Sequence, residues 1–196
     1  MSTFVNIGGV KNRSDLKEFL KADKYALGKK RKFPKLIGDD IWKFERALRY
    51  HEFYLNRRKK YSIRKYFWEY RHRVLGIKLG FDIPCNVFGK GLRINHFGLI
   101  VVSTKAKIGD FCDIHQGVNI GENTDKGAPI IGNNVWIGPG VKIFGKIQIG
   151  NNVMIGANAV VTKNFPNDVV IMGVPAEIKK QSGNIYSKDI DFKRNV

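Results

Sequence analysis

Cysteine is scarce in this sequence: Cys85 and Cys112 are the only two. Neither stands in a paired spacing or in a metal-like spacing with histidines, so a disulfide framework and a zinc knuckle lack support, and no bound metal is expected. A reducing, cytoplasmic setting fits that usage. Long hydrophobic runs are lacking too. None approaches the roughly 20 apolar residues that span a bilayer, and Met1-Ser2-Thr3-Phe4 has neither the basic region nor the apolar stretch of a secretory signal. A soluble, unprocessed chain is expected. Acidic residues are in short supply, 17 against 35 lysines and arginines, which leaves a formal charge of +18. Such a balance attracts anionic partners. The positive residues crowd before position 80, in Lys29-Lys30-Arg31-Lys32, Arg57-Arg58-Lys59-Lys60 and Arg71-His72-Arg73. No helix-turn-helix, zinc-finger or RNA-binding signature accompanies them, which disfavours nucleic acid. A solvated helix face, an anionic ligand or a membrane surface remain as readings of this basic part. Apolar content is ample: 43% of 196 residues supports a sizeable core in one or two domains.

Glycine is also withheld from one half of the chain. Between residues 14 and 75 only Gly28 and Gly38 occur, and apolar residues recur there at helical spacings. Ser14-Asp15-Leu16-Lys17-Glu18 reads as a helix start, with Ser14 as the cap and an acidic first turn. A second helix is expected from Asp39-Asp40, with Ile41, Phe44, Leu48, Phe53 and Leu55 as its apolar stripe. Tyr66, Phe67, Tyr70 and Val74 continue a stripe, as part of a separate helix, and read as core or subunit contacts. His51 and His72 in this part read as structural residues. The reading gives a basic helical domain over 1–76, a second domain over 77–180 and a tail over 181–196.

From about residue 86 glycines become frequent, and isoleucine or valine returns every six residues. Hexads start at Ile108, Ile114 and Ile120, resume at Ile131, Ile137, Ile143, Ile149 and Ile155, and end at Val161. A hexapeptide period signifies a parallel β-helix, each hexad making one short strand and a corner. The first residue and the small or aliphatic fifth residue point inward, so Cys112, a fifth-position residue, should be inert. Glycine or asparagine takes the corner conformations. The hexads resemble those of the hexapeptide-repeat acyltransferases, which implies a left-handed triangular prism of three hexads per turn. The fold class is therefore mainly β with an α-helical N-terminal part.

The period breaks twice: eight residues separate Ile94 from Val102, and eleven separate Ile120 from Ile131. The second break ejects the loop Glu122-Asn123-Thr124-Asp125-Lys126-Gly127-Ala128-Pro129, a candidate site wall. Counting three hexads per coil stacks Ile94, Ile114, Ile137 and Ile155 in one column, about 4.8 Å apart. The next column reads Asn95, His115, Gly138, Gly156, and the one after it His96, Gln116, Pro139, Ala157. Two histidines thus sit on adjacent coils above small residues. Those small residues read either as a groove for a thioester carrier or as what corners need.

Transfer of an acetyl group from a thioester to a hydroxyl requires removal of the hydroxyl proton, and neutral histidine is the usual acceptor near pH 7. A carboxylate on the ring's other nitrogen would hold its tautomer. The segment Asp82-Ile83-Pro84 followed by Phe88-Gly89-Lys90-Gly91-Leu92-Arg93-Ile94-Asn95-His96-Phe97-Gly98-Leu99-Ile100-Val101-Val102 resembles the catalytic stretch of serine acetyltransferases. There an Asp-Ile pair, a Gly-x-Gly corner and an Asp-His doublet precede a Gly-Ile-Val-Val strand. The resemblance extends from about residue 75 to the Gly173-Val174-Pro175-Ala176 turn. It implies His96 as general base and Asp82, across a one-residue gap, as its orienting carboxylate. His115 would hold the acceptor or the thioester carbonyl, or pack at a corner; Gln116 or backbone N–H groups would polarise that carbonyl.

The resemblance further implies acetyl-coenzyme A as co-substrate, its arm along Gly138, Gly156, Ala157 and Ala176 and its phosphates near Lys163, Lys179 and Lys180. It also implies a homotrimer with active sites between subunits. The acceptor side departs from the serine enzymes. Where they carry an Arg-His pair in the loop, this chain has Lys126-Gly127-Ala128, and Asn95 replaces an aspartate. With Asn95, Asp125 and Lys126 as acceptor contacts, the sequence favours a sugar hydroxyl, as in the serine acetyltransferase-like enzymes of capsule, O-antigen or exopolysaccharide synthesis. L-Serine is the alternative.

Overall fold

Three helices precede a solenoid of fourteen short strands in the computed structural model, which describes residues 9–57, 62–123 and 127–184. The first, α1 (Arg13–Ala26), starts two residues earlier than Ser14 suggests, because Asn12 is the cap. Its side chain accepts the N–H groups of Ser14 and Asp15, while Asp15 answers the Asn12 backbone. That reciprocal arrangement satisfies donors that Ser14 would leave open. Helix α2 (Asp40–Leu55) buries Phe44, Leu48 and Phe53 as its stripe predicts, but Leu55 is exposed. Helix α3 (Ile63–Leu79) runs to the brink of the first strand and buries only Leu75, Gly76 and Leu79. Tyr66, Phe67, Tyr70 and Val74 face outward on it, so the core half of the expectation for them fails. Leu75, Gly76 and Leu79 at the end of α3 meet the coils, and His72 reaches Ile83 from mid-helix.

The strands stack on three faces. One carries β1 (Phe81–Asp82), β3 (Ile100–Val102), β6 (Asn119–Gly121), β9 (Lys142–Phe144) and β12 (Val160–Val161). A second carries β4 (Lys107–Ile108), β7 (Ile130–Ile131) and β10 (Gln148–Ile149). The third carries β2 (Arg93–Ile94), β5 (Asp113–Ile114), β8 (Trp136–Ile137), β11 (Met154–Ile155) and β13 (Val170–Met172), closed by the antiparallel β14 (Glu177–Lys180). All other pairs are parallel, and the register joins Ile94, Ile114, Ile137, Ile155 and Ile171 in one inward column. Each is buried to within 1%, contributing about 1.5–3 kcal/mol by removal from water. The fifth-position residues Cys112, Val118, Val135, Val141, Val153 and Ala159 fill the prism beside them.

One corner shows why asparagine recurs at the third hexad position. The side-chain oxygen of Asn133 accepts the N–H of Asp110, that of Asn151 accepts Asn133, and that of Asn167 accepts Asn151, each at 2.8 Å. This ladder satisfies backbone donors that a turning chain would otherwise strand. Neighbouring Asn134 and Asn152 take positive φ, which asparagine tolerates.

The helices are locked to the first coil by a buried ionic cluster. Arg49 on α2 donates to Asp23 on α1 (2.8 Å), to Glu52 (3.1 Å) and to the carbonyls of Phe88 and Gly89 at 3.0 and 2.6 Å. Asp23 in turn accepts the N–H groups of Gly91 and Leu92, Glu52 that of Asn86, and Glu45 that of Ile94. These side chains are at most 3% exposed. Gly91 is obligatory here: φ is +76°, and a Cβ would lie 2.6 Å from the Phe111 ring. Helical residues Phe44, Ala47, Leu48, Leu75 and Leu79 share one continuous apolar core with the coils.

Candidate functional site

The corner after β2 carries Asn95 and His96, and the corner after β5 carries His115 and Gln116. Because β2 and β5 pair in register, Arg93 with Asp113 and Ile94 with Ile114, each corner stacks on the next. The His96 and His115 rings are 6.3 Å apart between centroids. His96 is exposed, flanked by Phe97 (74% exposed) and Leu99 (66%).

His115 is half-buried and oriented from below. Its Nδ1 lies 3.0 Å from the Ile137 carbonyl, and Trp136 packs on the ring at 4.8 Å. Nδ1–H donates to that carbonyl, so Nε2 keeps its lone pair. Burial outweighs the neighbouring carboxylate and holds the ring's proton affinity below the ordinary histidine value. The imidazole is thus neutral at pH 7.

Asp113, which sequence reasoning missed, organises this corner. It is 6% exposed, accepts Arg93 Nη1 at 2.7 Å and the Asn95 amide, and lies 3.9 Å from His115 Nδ1. The available signal was an Arg and an Asp at equivalent positions of adjacent coils, a cross-strand pair. Glu45 supports the same coil from α2 through the Ile94 N–H, two residues before His96. Its other oxygen is buried without a partner, and burial with nearby Asp23 pushes its pKa well above the usual carboxylate range.

Beside Asn95 and Phe97 opens a cleft of about 440 Å³ between the helical part and the first coil. Its rim holds carboxylates and cations together: Asp39 and Asp40 at the start of α2, Lys29 after α1, and Arg93. Lys29 pairs with Asp39 at 2.6 Å, and Asp40 with Lys43 and Lys78. These hydrogen bonds keep both carboxylates below their ordinary pKa, hence ionised. The sequence offered no sign of this wall, since residues 29–40 lie more than fifty positions before His96.

The remaining expected site residues are scattered. Asp82 is exposed on β1, opposite Val101, and among the described residues it has no hydrogen bond to His96. The Gln116 side-chain oxygen is buried and lacks a partner. Asp125 and Lys126 lie outside the described residues. Coil packing accounts for Gly138 and Gly156: a Cβ on the first would meet the Ile155 carbonyl at 2.8 Å, and on the second the Met172 Cβ at 2.8 Å. Ala157 is exposed in the next column, whereas Ala176 is 1% exposed and presents no side chain to a carrier. It is drawn inward because its N–H donates to Val160. Lys163 lies over the Phe165 ring, Lys179 pairs with Glu177 at 3.1 Å, and Lys180 is exposed at the strand end.

A triangular stack of hexapeptide coils with a histidine-bearing corner defines a class of β-helix transferases, and comparison with known proteins agrees. Residues 128–163 match the bacterial transferase hexapeptide (six repeats) model. A serine acetyltransferase of Staphylococcus xylosus is 35% identical over 146 residues, 73% of this chain and 65% of its own. The crystal structure of a serine O-acetyltransferase from Brucella melitensis superposes with a TM-score of 0.65 at 30% identity, over 87% of this chain and 69% of that one. A serine acetyltransferase solved in complex with CoA gives a TM-score of 0.65 at 26% identity, over 85% and 70%. The chain belongs to the hexapeptide-repeat, left-handed β-helix acyltransferase family. It spans 40 to 66% of the length of the curated relatives it matches.

Proposed function

We propose that this chain is an acetyl-coenzyme A-dependent serine O-acetyltransferase. The observation that carries the reading is the exposed His96, flanked in sequence by Asn95 and Phe97 of a cleft whose rim holds charges of both signs. A zwitterionic acceptor needs both, because an ammonium or carboxylate left unpaired in a cleft loses more solvation than neutral contacts return. The relatives reported above are serine acetyltransferases, which supports the same acceptor. The sequence-based preference for a sugar rested on the ejected loop and Asn95, and overlooked the wall supplied by the helices.

In the proposed reaction the serine hydroxyl attacks the acetyl carbonyl directly. His96 takes the hydroxyl proton as the new C–O bond forms, and the C–S bond breaks as that proton passes to the departing thiolate. Products are O-acetylserine and the free thiol of CoA. A positioned base of this kind accelerates by about 10²–10⁴-fold. Asp82 is assigned as the carboxylate that orients His96. His115, whose Nε2 lone pair accepts a hydrogen bond, is assigned to the acceptor substrate, and the side-chain N–H of Gln116 to the thioester carbonyl. Neither cysteine serves as nucleophile: burial raises the thiol pKa of both, Cys112 far above its usual value. The carrier arm follows exposed Ala157, with the phosphates toward Lys163 and Lys180. A trimer with sites between subunits would cover Phe97 and Leu99 beside His96.

A saccharide acceptor is the second reading, favoured by Asn95, whose amide suits hydroxyls that both donate and accept. Free-thiol release from acetyl-coenzyme A, measured with L-serine and with a panel of sugars, nucleotide sugars and oligosaccharides, separates the two. L-Serine is expected to give the higher kcat/KM; turnover of a glycan with none of L-serine would overturn the proposal.

A further inference from the structure

Away from the corner of His96, three side chains that the reaction does not use converge between the helices and the first coil. His51 comes from α2, His72 from α3 and Cys85 from the turn after β1. His51 Nδ1 lies 3.1 Å from His72 Nδ1 and 3.2 Å from Cys85 Sγ, and the three ligand atoms all lie within 4.8 Å of one another. We propose that His51, His72 and Cys85 bind one divalent transition-metal ion of the zinc class, tying α2, α3 and the first coil together.

Three observations carry this. Donors and acceptors do not balance without an ion. A neutral imidazole nitrogen either carries one proton or offers one in-plane lone pair, yet His51 Nδ1 faces both partners at hydrogen-bond distance. One proton or one lone pair has to serve both contacts. An ion that takes a lone pair from each group removes the conflict.

The spacing fits as well. With metal–nitrogen bonds of about 2.05 Å and a metal–sulfur bond of about 2.3 Å, tetrahedral geometry places nitrogens about 3.3 Å apart and nitrogen from sulfur about 3.6 Å. The two contacts of His51 are within about half an ångström of these, and the third pair, His72 with Cys85, lies within 4.8 Å.

The surroundings have the form of a metal site's outer shell. The His72 ring hydrogen-bonds the backbone of Ile83, and Phe44 packs on that ring at 5.1 Å. Ligating histidines are commonly held by such a second hydrogen bond. All three ligands are half-buried, which leaves a way in. Two imidazoles and a thiolate suit zinc, cobalt or copper and not magnesium or calcium. The fourth position falls to water; Glu69, one turn before His72, is exposed and acts on His51 and Cys85 only through space. Binding converts the thiol to thiolate, its proton leaving to solvent.

Cobalt titration of the full-length, untagged chain, stripped of metal by a chelator, tests this. One equivalent of Co²⁺ should raise the near-ultraviolet sulfur-to-cobalt charge-transfer band, and Zn²⁺ should bleach it. Cys85→Ser should abolish the band, and His72→Asn should weaken cobalt binding at least tenfold; if Cys85→Ser does not fold, loss of the band in His51→Asn is the equivalent result. His96→Ala should keep the band, which distinguishes this site from the His96–His115 pair. A folded wild-type chain without the band, or a band that survives Cys85→Ser, overturns the proposal.

Discussion

His96 and Glu45 show how differently single residues are placed. His96 is solvent-facing, supported by little but its own corner, so His96→Ala should leave folding intact. Turnover should fall by about two to four orders of magnitude, as expected for a missing general base. Steady-state thiol release checks this, and wild-type turnover would remove His96 from the reaction. Glu45 is the opposite case, sealed in the interior with one oxygen unpaired. Its folded pKa stands well above the ordinary 4.5 because burial and Asp23 both oppose its charge. The folded chain therefore holds a proton that the unfolded chain releases as pH rises through that value. Stability gained from the protonated form is complete below about 4.5 and is lost as pH rises toward the folded pKa. Glu45→Gln, neutral at every pH, should be close to wild type at pH 4 and increasingly more stable above it, read from urea midpoints. A constant difference from pH 4 to 8 would show that Glu45 is charged in the fold.

At the scale of elements, the decisive contact is between α2 and the first coil. Arg49 answers two carboxylates and two carbonyls with one guanidinium, so its removal leaves both the charges and the carbonyls buried and unpaired. Arg49→Ala should cost about 3–5 kcal/mol, the range for breaking one side of a buried ion pair, as measured by denaturant unfolding. Since the same cluster fixes Gly91, Leu92 and, through Glu45, Ile94, the loss should also lower turnover by loosening the corner of His96. The outer column behaves differently. Ala157 is exposed and carries no structural contact comparable with those of Gly138 or Gly156. Ala157→Leu should therefore fold normally and raise the KM for acetyl-coenzyme A more than that for the acceptor. An unchanged KM would move the carrier arm off this column.

For the whole molecule, the proposed trimer accounts for apolar side chains left open beside the site. Phe97 and Leu99 are more than half exposed, and such groups beside the proposed site are better covered than wet. Sedimentation equilibrium should give three chains per particle, and Leu99→Asp should dissociate it with loss of turnover. A wild-type monomer with full turnover would contradict that assembly. The basic helices remain outward-facing on α3, where Tyr66, Phe67 and Tyr70 alternate with Lys65, Arg71 and Arg73.

The six-residue period by itself determined the solenoid, the inward column from Ile94 to Ile155, and the stacking of Asn95 on His115, whereas the eight-residue interval from Ile94 to Val102 shifts the register so that Gln116 meets Gly98 and not His96. It could do so because a solenoid is close to one-dimensional, each coil meeting only its neighbours, so that counting along the chain is counting through space. The helices were legible as helices for a similar local reason, caps and apolar spacing, although the cap at Asn12 lay two residues before the one expected. What the helices do was left to the tertiary structure. Asp23, Glu45 and Arg49 meet the coil across 39 or more positions of sequence. Asp39 and Lys29 become a wall of the cleft, and His51, His72 and Cys85 come together from three elements. No period links such residues. They meet because burying an apolar helix face brings with it the charges that share that helix, and each buried charge must then find its partner wherever the fold has placed one.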